Sequence, residues 1–79
     1  MKELLEVIAR HLVAHPDAVA VREMETTTAW LLELTVAKED VGRIIGKRGV
    51  TVAAIRIVLN AASARINRRV VLEVIEPPV

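Results

Sequence analysis

The sequence DVGRIIGKRGVTVAAI, residues 40–55, contains all three glycines of the chain. Gly46 and Gly49 bracket a Lys–Arg pair, and apolar residues flank the resulting GKRG loop on both sides. The segments before and after this loop both have the apolar spacing of helices. Glycine tolerates the dihedral angles of a tight reversal and lets a bulky partner approach the backbone. The stretch therefore predicts two helices joined by a basic turn that a ligand can approach closely.

The residues before this stretch predict a helix and a β-hairpin. An amphipathic helix is expected over about residues 2–14, stopped by Pro16, because the residue before a proline avoids helical geometry. Residues 18–24 and 30–36 have the alternation of strands, with Trp30 expected in the core. The polar turn between them makes an antiparallel hairpin the simplest arrangement.

The rest of the chain completes an α+β domain. Glu39 and Asp40 place negative charge at the start of a short helix that ends near Ile45, where the helix dipole favours it. A longer helix is expected over residues 50–63, and a last strand over residues 67–76. The predicted order is α-β-β-α-α-β, in a single domain covering residues 1–79.

Composition restricts the kind of protein. The 79 residues are 53% hydrophobic and 27% charged, which is typical of one folded domain. The net charge is only +1, so attraction to a polyanion must come from local clustering. Trp30 is the only Phe, Tyr or Trp, which excludes folds that stack bases on several exposed aromatic side chains.

The compartment can be predicted as well. The chain has no cysteine, which excludes a disulfide framework and fits a reducing cytosol. Glu3, Glu6 and Arg10 interrupt the apolar residues at the N-terminus, so we do not expect a signal peptide. No apolar run approaches the roughly 18 residues of a membrane span. A cytoplasmic protein without a membrane anchor is expected.

The chemistry of the loop suits a phosphate group. The helix that begins near Val50 directs free N–H groups and the positive end of its dipole towards the loop. Lys47 and Arg48 add two cations, and Arg43, one helical turn earlier, extends them. Together these groups predict a clamp for a sugar-phosphate backbone. A turn between two helices also often carries glycine and surface charge without any function, so the motif alone leaves that alternative open.

Enzymatic functions are not expected. A nucleotide-binding P-loop has the spacing G-x-x-x-x-G-K-[ST] after a strand. Here Gly42 and Gly46 are one residue too close, and Arg48 stands where the magnesium-binding hydroxyl belongs. His11 and His15 have a spacing that can chelate zinc, but no third ligand is apparent. No nucleophile lies beside a base, so we predict neither catalysis nor a metal or other cofactor.

The stretch from Val41 to Gly49 resembles the signature of KH domains, in which a helix ends in I-G-x-x-G and a second helix follows. The element order resembles the type II arrangement of that fold, and residues 40–59 resemble the small bacterial KhpA family. This resemblance implies a three-stranded mixed sheet with the helices packed on one face. It also implies that a groove binds about four nucleotides of single-stranded RNA.

The same resemblance assigns roles to the residues of the motif. The glycines would allow close approach, Lys47 and Arg48 would contact phosphates, and Ile45 with nearby aliphatic side chains would form the floor under the bases. The implied RNA-binding residues are Gly42, Arg43, Ile45, Gly46, Lys47, Arg48 and Gly49. The family's role would be that of an RNA chaperone or a post-transcriptional regulator. Arg65, Arg68 and Arg69 either extend the basic surface or form an ordinary solvated edge.

The helix after the loop has more apolar surface than one core needs. Its only polar residues before Ser63 are Thr51, Arg56 and Asn60. Val52, Ile55 and Leu59 share one side, which we expect to pack on the sheet. A second apolar side is predicted to be an interface, unless the first helix or the end of the chain covers it. It is formed by Val50, Ala54, Ile57, Val58 and Ala61.

The resemblance implies a homodimer, or a heterodimer with a second KH protein of the KhpB, Jag or EloR type. An alternative function follows from the same helix. The chain would then be a protein-interaction subunit that dimerises through this helix, with RNA binding secondary.

Overall fold

The computed structural model of the chain describes residues 1–76 and has the predicted order of elements. Short 3-10 turns lie between the main elements, and the bounds differ from those predicted by one or two residues at most ends. The helices and strands are α1 (Lys2–Leu12), β1 (Ala20–Glu25), β2 (Ala29–Thr35), α2 (Val41–Ile45), α3 (Val50–Ala62) and β3 (Arg69–Ile75).

The three strands form one mixed sheet in the order β1-β2-β3. β1 runs antiparallel to β2, with Val21 opposite Leu34, and Thr26 closes the turn of the hairpin through hydrogen bonds with Ala29. β3 runs parallel to β2, with Leu32 opposite Leu72. A parallel pair requires a crossover connection, and α2, the loop and α3 provide it. The predicted type II KH arrangement is confirmed.

The core lies between one face of this sheet and the three helices. Alternate strand residues are buried on that face, while their neighbours Glu33 and Glu73 lie on the other. As predicted, Val52, Ile55 and Leu59 of α3 are buried against the sheet. The fully or almost fully buried residues of the core include Leu5, Ala9, Leu32, Leu34, Val36, Ile44, Leu59 and Leu72. Trp30 is half-buried and packs against this core.

Asp40 ties the end of α1 to the beginning of α2. Its fully buried carboxylate accepts hydrogen bonds from the backbone N–H groups of Ala14 and His15, at 3.0 and 2.9 Å. α1 therefore ends at Leu12, two residues earlier than predicted: the N–H of Val13 still bonds to the carbonyl of Ala9, but those of Ala14 and His15 bond to Asp40. The predicted role of Asp40 in the first turn of α2 was incomplete: its side chain makes no capping bond to that helix.

These contacts also shift the ionisation of Asp40. Burial raises the pKa of its carboxyl, but the hydrogen bonds from Ala14 and His15 and the charges of His15 and Arg43 outweigh that effect. The pKa is therefore below its usual value of 3.8, and the buried group is held as a carboxylate.

Two polar side chains of α3 bind the outer edge of β3. Arg56 donates from its guanidinium to the carbonyl oxygen of Leu72, at 3.3 Å. Asn60 accepts a hydrogen bond from the N–H of Val70 at 3.3 Å and donates to the carbonyl of Arg56 at 2.8 Å. An exposed strand edge otherwise presents unpaired backbone groups. These contacts fix α3 alongside β3, so the GKRG loop sits at one end of this pair of elements.

Candidate nucleic-acid interface

The GKRG loop is a tight turn built from left-handed backbone. Gly46, Arg48 and Gly49 have φ angles of 75°, 59° and 76°. The N–H of Gly46 ends α2 by bonding to the carbonyl of Gly42 at 2.9 Å, and the N–H of Gly49 bonds to the carbonyl of Gly46 at 3.1 Å. Glycine adopts positive φ without a steric penalty, whereas arginine does so only at a cost. The loop therefore holds Arg48 in a backbone conformation that is unfavourable for arginine.

Position 46 requires glycine for a second reason. A Cβ atom there would lie 2.6 Å from Cβ of Thr51 and 2.8 Å from its backbone nitrogen. Thr51 belongs to the first turn of α3, so the loop is folded back onto the helix that follows it. This contact brings Lys47 and Arg48 to the N-terminal end of α3, as the sequence predicted.

The cations of the loop are free to meet a ligand. Lys47 and Arg48 are both exposed, and within residues 1–76 neither forms an ion pair. With Val50 and Thr51 they line a shallow, open depression in front of α3. The depression thus combines two cations with the positive end of a thirteen-residue helix. An anion such as a phosphate group is the ligand that this arrangement suits.

Arg43 is placed differently from the loop cations. Its Nε lies 3.3 Å from Oδ1 of Asp40, at the other end of α2, although 60% of its side chain is exposed. Gly42 lies on the exposed side of α2, with no atom within 4 Å of the place a Cβ would take. Ile45 is half-buried beside the loop and packs on the core, while Ile44 is fully buried.

The outer side of α3 is apolar, and no part of the chain within residues 1–76 covers it. Ile57, Val50 and Val58 are 71%, 66% and 46% exposed, and Ala54 and Ala61 are exposed as well. Large aliphatic side chains on one helix face are rarely left in water by a monomeric protein. The five residues predicted as an interface therefore share one exposed surface, which begins at Val50 in the loop depression and follows α3.

The two histidines take part in local contacts. The ring of His11 lies 2.7 Å from the carbonyl of Val7, and Nε2 of His15 lies 3.4 Å from a carboxylate oxygen of Glu39. Within residues 1–76, no three His, Cys, Asp or Glu side chains are grouped as metal ligands would be. None of the helices in those residues is long and apolar enough to cross a membrane.

The three arginines around the start of β3 are not equivalent. Arg68 forms an ion pair with Glu25 and lies over the ring of Trp30, 5.9 Å from its centroid. Arg65 and Arg69 are exposed. Sequence reasoning treated the three as one group and did not assign a role to Thr51. A contact such as that between Thr51 and Gly46 has no periodic pattern by which it could be found.

Comparison with known proteins gives the family. A family model described as the KH domain of KhpA and KhpB matches residues 2–74. A Clostridium acetobutylicum protein named RNA-binding protein KhpA is 51% identical over 75 residues, which is 95% of this chain and all of that protein. A protein of the same name from Chlamydia muridarum is 46% identical, over 96% of this chain and 97% of that protein. Another from Borreliella burgdorferi is 45% identical, over 94% of this chain and 90% of that protein. No solved structure matches significantly. The chain belongs to the KhpA/KhpB family of KH-domain proteins, which are binding proteins and not enzymes.

Proposed function

We propose that this protein binds single-stranded RNA, with the GKRG loop clamping the sugar-phosphate backbone. The observation that carries the proposal is the loop itself: left-handed backbone at Gly46, Arg48 and Gly49 presents two unpaired cations at the N-terminal end of α3. The name of the relatives, RNA-binding protein KhpA, supports the same ligand.

Each residue of the proposed site has a physical role. Gly46 and Gly49 leave the backbone open to a phosphate, and Gly42 leaves the adjoining surface of α2 without a side chain. Lys47 and Arg48 neutralise phosphates. Arg43 contributes only in so far as it leaves its ion pair with Asp40.

The bases would lie on aliphatic surface beside the loop. Ile45 is half-buried next to Gly46, and Val50 lines the loop depression. With no exposed aromatic platform available, base recognition would depend on this apolar contact and on hydrogen bonds to the base edges. About four nucleotides fill a groove of this kind.

We further propose that the protein acts as a dimer formed through the apolar side of α3. A twofold axis near Ile57 would pack Ile57 against its own copy and bring Val50, Ala54, Val58 and Ala61 against the same face of the partner's α3. Two weak RNA sites on one particle raise the overall affinity without any new contact. Such a particle suits an RNA chaperone or a post-transcriptional regulator in the cytoplasm. A heterodimer with a KhpB-type protein would use the same side of α3. In either assembly this chain would contribute a single KH domain, residues 1–79.

The exposure of α3 also favours a second candidate function. The protein would then be an interaction subunit whose main activity is pairing through α3, with the loop of secondary importance. The exposed fraction of Ile57, 71%, is the observation in its favour.

Fluorescence anisotropy with a labelled pool of short single-stranded RNAs tests the proposal. Lys47→Asp/Arg48→Asp should abolish binding while circular dichroism shows an unchanged fold, because both side chains are exposed. Lys2→Asp/Lys38→Asp is the matched control: it makes the same change in net charge at exposed positions away from the loop, and should keep most of the affinity. Equal binding by the loop variant and the wild type would refute the clamp, and so would an absence of binding by the wild type.

A further inference from the structure

The face of the sheet that points away from the helices carries a second group of apolar side chains. Alternation with the core residues places four of them on this outer sheet face: Met24, Leu31, Val71 and Ile75. All four are half-buried, yet none is among the side chains that pack on the core. The strand register puts Met24 opposite Leu31, and Leu31 opposite Val71, so these three form a row across the sheet. Within residues 1–76 no helix covers this row, because the helices pack on the other face.

Two carboxylates lie side by side on the same face, next to the apolar row. Glu33 and Glu73 are direct neighbours on β2 and β3, where like charges repel each other. Arg22, opposite Glu33 on β1, relieves only part of this repulsion, since its guanidinium lies 3.8 Å from Glu33 and 74% of its side chain is exposed. Glu73 is exposed and forms no ion pair in the described part of the chain. The arrangement is unfavourable for the fold, and a cation from another molecule would relieve it.

The spacing of these side chains along the strands fits one α-helix. Leu31, Glu33 and Thr35 follow one another on the outer sheet face, and Ile75 lies opposite Thr35. Residues two apart on a strand are separated by about 6.7 Å, so the carboxylates lie between two apolar rows. Four residues of an α-helix span about 6 Å, and a helix with its side chains is about as wide as three strands, roughly 10 Å. A helix along β2 with apolar residues at i and i+8 and a cation at i+4 would therefore contact all three rows.

The charge of the outer sheet face distinguishes between possible occupants. RNA does not suit it, because Glu33 and Glu73 would repel the phosphates. A second copy of this chain does not suit it either, because a twofold contact would place both carboxylates against their own copies. A protein segment that combines aliphatic side chains with Lys or Arg matches both the apolar rows and the charge. The face lies across the whole domain from the outer side of α3, so such a segment would not compete with the proposed dimer.

We propose that the outer sheet face binds a protein partner through an amphipathic helix with a Lys or Arg in the middle of its apolar stripe. The cation would lie between Glu33 and Glu73, and the aliphatic residues on either side would cover Leu31 and Ile75. The partner would bind while the helices on the other face remain available to RNA. One helix on three short strands makes a contact below the usual size of a stable interface, so the association would be transient.

A displayed library of helical peptides tests the proposal with the full chain. Each peptide has about 16 residues of a helix-forming scaffold, randomised at i, i+4 and i+8. Selection on the wild type should enrich aliphatic residues at i and i+8 and Lys or Arg at i+4. Fluorescence anisotropy then measures an enriched peptide. Glu33→Gln/Glu73→Gln should weaken its binding about tenfold at low salt, and less as salt is added. Glu3→Gln/Asp17→Asn is the matched control, which removes the same charge at exposed positions away from the sheet, and it should keep the affinity.

The other outcomes would overturn the proposal. These are no enrichment on the wild type, enrichment without a cation at i+4, and equal affinity of the wild type and Glu33→Gln/Glu73→Gln. Leu31→Asn removes apolar contact without changing the charge; if it is folded by circular dichroism and binds the peptide as tightly as the wild type, the peptide lies elsewhere.

Two further measurements exclude the alternative occupants of the face. If Glu33→Gln/Glu73→Gln alone changes the mass of the protein in sedimentation equilibrium, the occupant is a second copy. If RNA competes with the peptide, the two share a site and the proposal fails. A loss of RNA binding in the loop variants, by contrast, leaves peptide binding unchanged, so the proposed function and this proposal are tested separately.

Discussion

Gly46 and Thr51 are packed so closely that no side chain fits between them. A Cβ at position 46 would lie 2.6 Å from Cβ of Thr51 and closer still to its hydroxyl oxygen. The backbone of Gly46, with φ of 75° and ψ of 169°, is in a region that is essentially limited to glycine. The first glycine of the loop is therefore required by the fold, before any ligand is considered.

The three glycines should differ sharply when each is replaced by alanine. Gly46→Ala should lower the free energy of unfolding by about 2 kcal/mol or more, because backbone strain adds to the collision with Thr51. Gly49→Ala should cost about 1 kcal/mol, since its φ of 76° is strained but its surroundings are open. Gly42→Ala is the control: it lies in a helix with free space, so stability should rise by up to about 1 kcal/mol. Urea unfolding measures all three, and equal effects would contradict the packing described.

The effect of Arg48 on the stability of the fold should be separable from its effect on RNA binding. The φ of 59° at this position is unfavourable for any residue with a Cβ. Arg48→Gly should therefore raise the free energy of unfolding by about 0.5 kcal/mol. RNA affinity should nevertheless fall, because the variant has one cation fewer to neutralise a phosphate. Lys47→Gly is the matched control, since Lys47 has no positive φ: it should lose both affinity and about 0.5 kcal/mol of stability. Thermal melts and RNA titrations of the two variants give the comparison, and a decrease in the stability of Arg48→Gly would show that its side chain is needed by the fold.

Much of this fold could be predicted because its elements have strong local patterns. The alternation around Leu32 and Leu34 gives a strand with one buried face, and the spacing of Val52, Ile55 and Leu59 gives the side of α3 that packs on it. The glycines of the loop mark a turn for the same local reason. Such signals are carried by neighbouring residues, so they can be found in a single sequence.

The parts that sequence reasoning missed depend on residues far apart in the chain. Asp40 binds the N–H groups of Ala14 and His15 across 26 and 25 residues, and no spacing in the sequence indicates that contact. From the sequence alone, Asp40 is explained by its position at the start of α2, where a negative charge is favourable. The positive φ of Arg48 was also unpredictable, because arginine rarely adopts it and only the tertiary structure imposes it. At the candidate site, the charges could be predicted but not the conformation that presents them.

Asp40 should make stability depend on pH. Its pKa in the folded protein is below the usual 3.8, so the ionised group stabilises the fold fully above that value. The contribution is lost as the pH falls from 3.8 through the lowered pKa of the folded state. Asp40→Asn lacks it at every pH, and its amide nitrogen would also face one of the two N–H donors.

Thermal melts of Asp40→Asn and the wild type between pH 7 and pH 3 measure this effect. The variant should melt at a lower temperature at pH 7, and the difference should shrink as the pH falls below 3.8. Asp17→Asn, at an exposed position, should melt like the wild type at pH 7. A difference that persists unchanged to pH 3 would mean that the charge of Asp40 is not what stabilises the junction of α1 and α2.

The exposed side of α3 should control self-association. Ile57→Asp places an unpaired charge in the proposed interface, at a cost of at least about 2 kcal/mol, or about thirtyfold in the dimer dissociation constant. The monomer should stay folded because Ile57 is 71% exposed. Val7→Asp, at a 52% exposed aliphatic residue of α1, is the matched control and should not change the oligomeric state. Sedimentation equilibrium distinguishes the cases. If Ile57→Asp and the wild type have the same mass distribution, α3 is not the interface, and if Val7→Asp also dissociates the protein, α1 belongs to it.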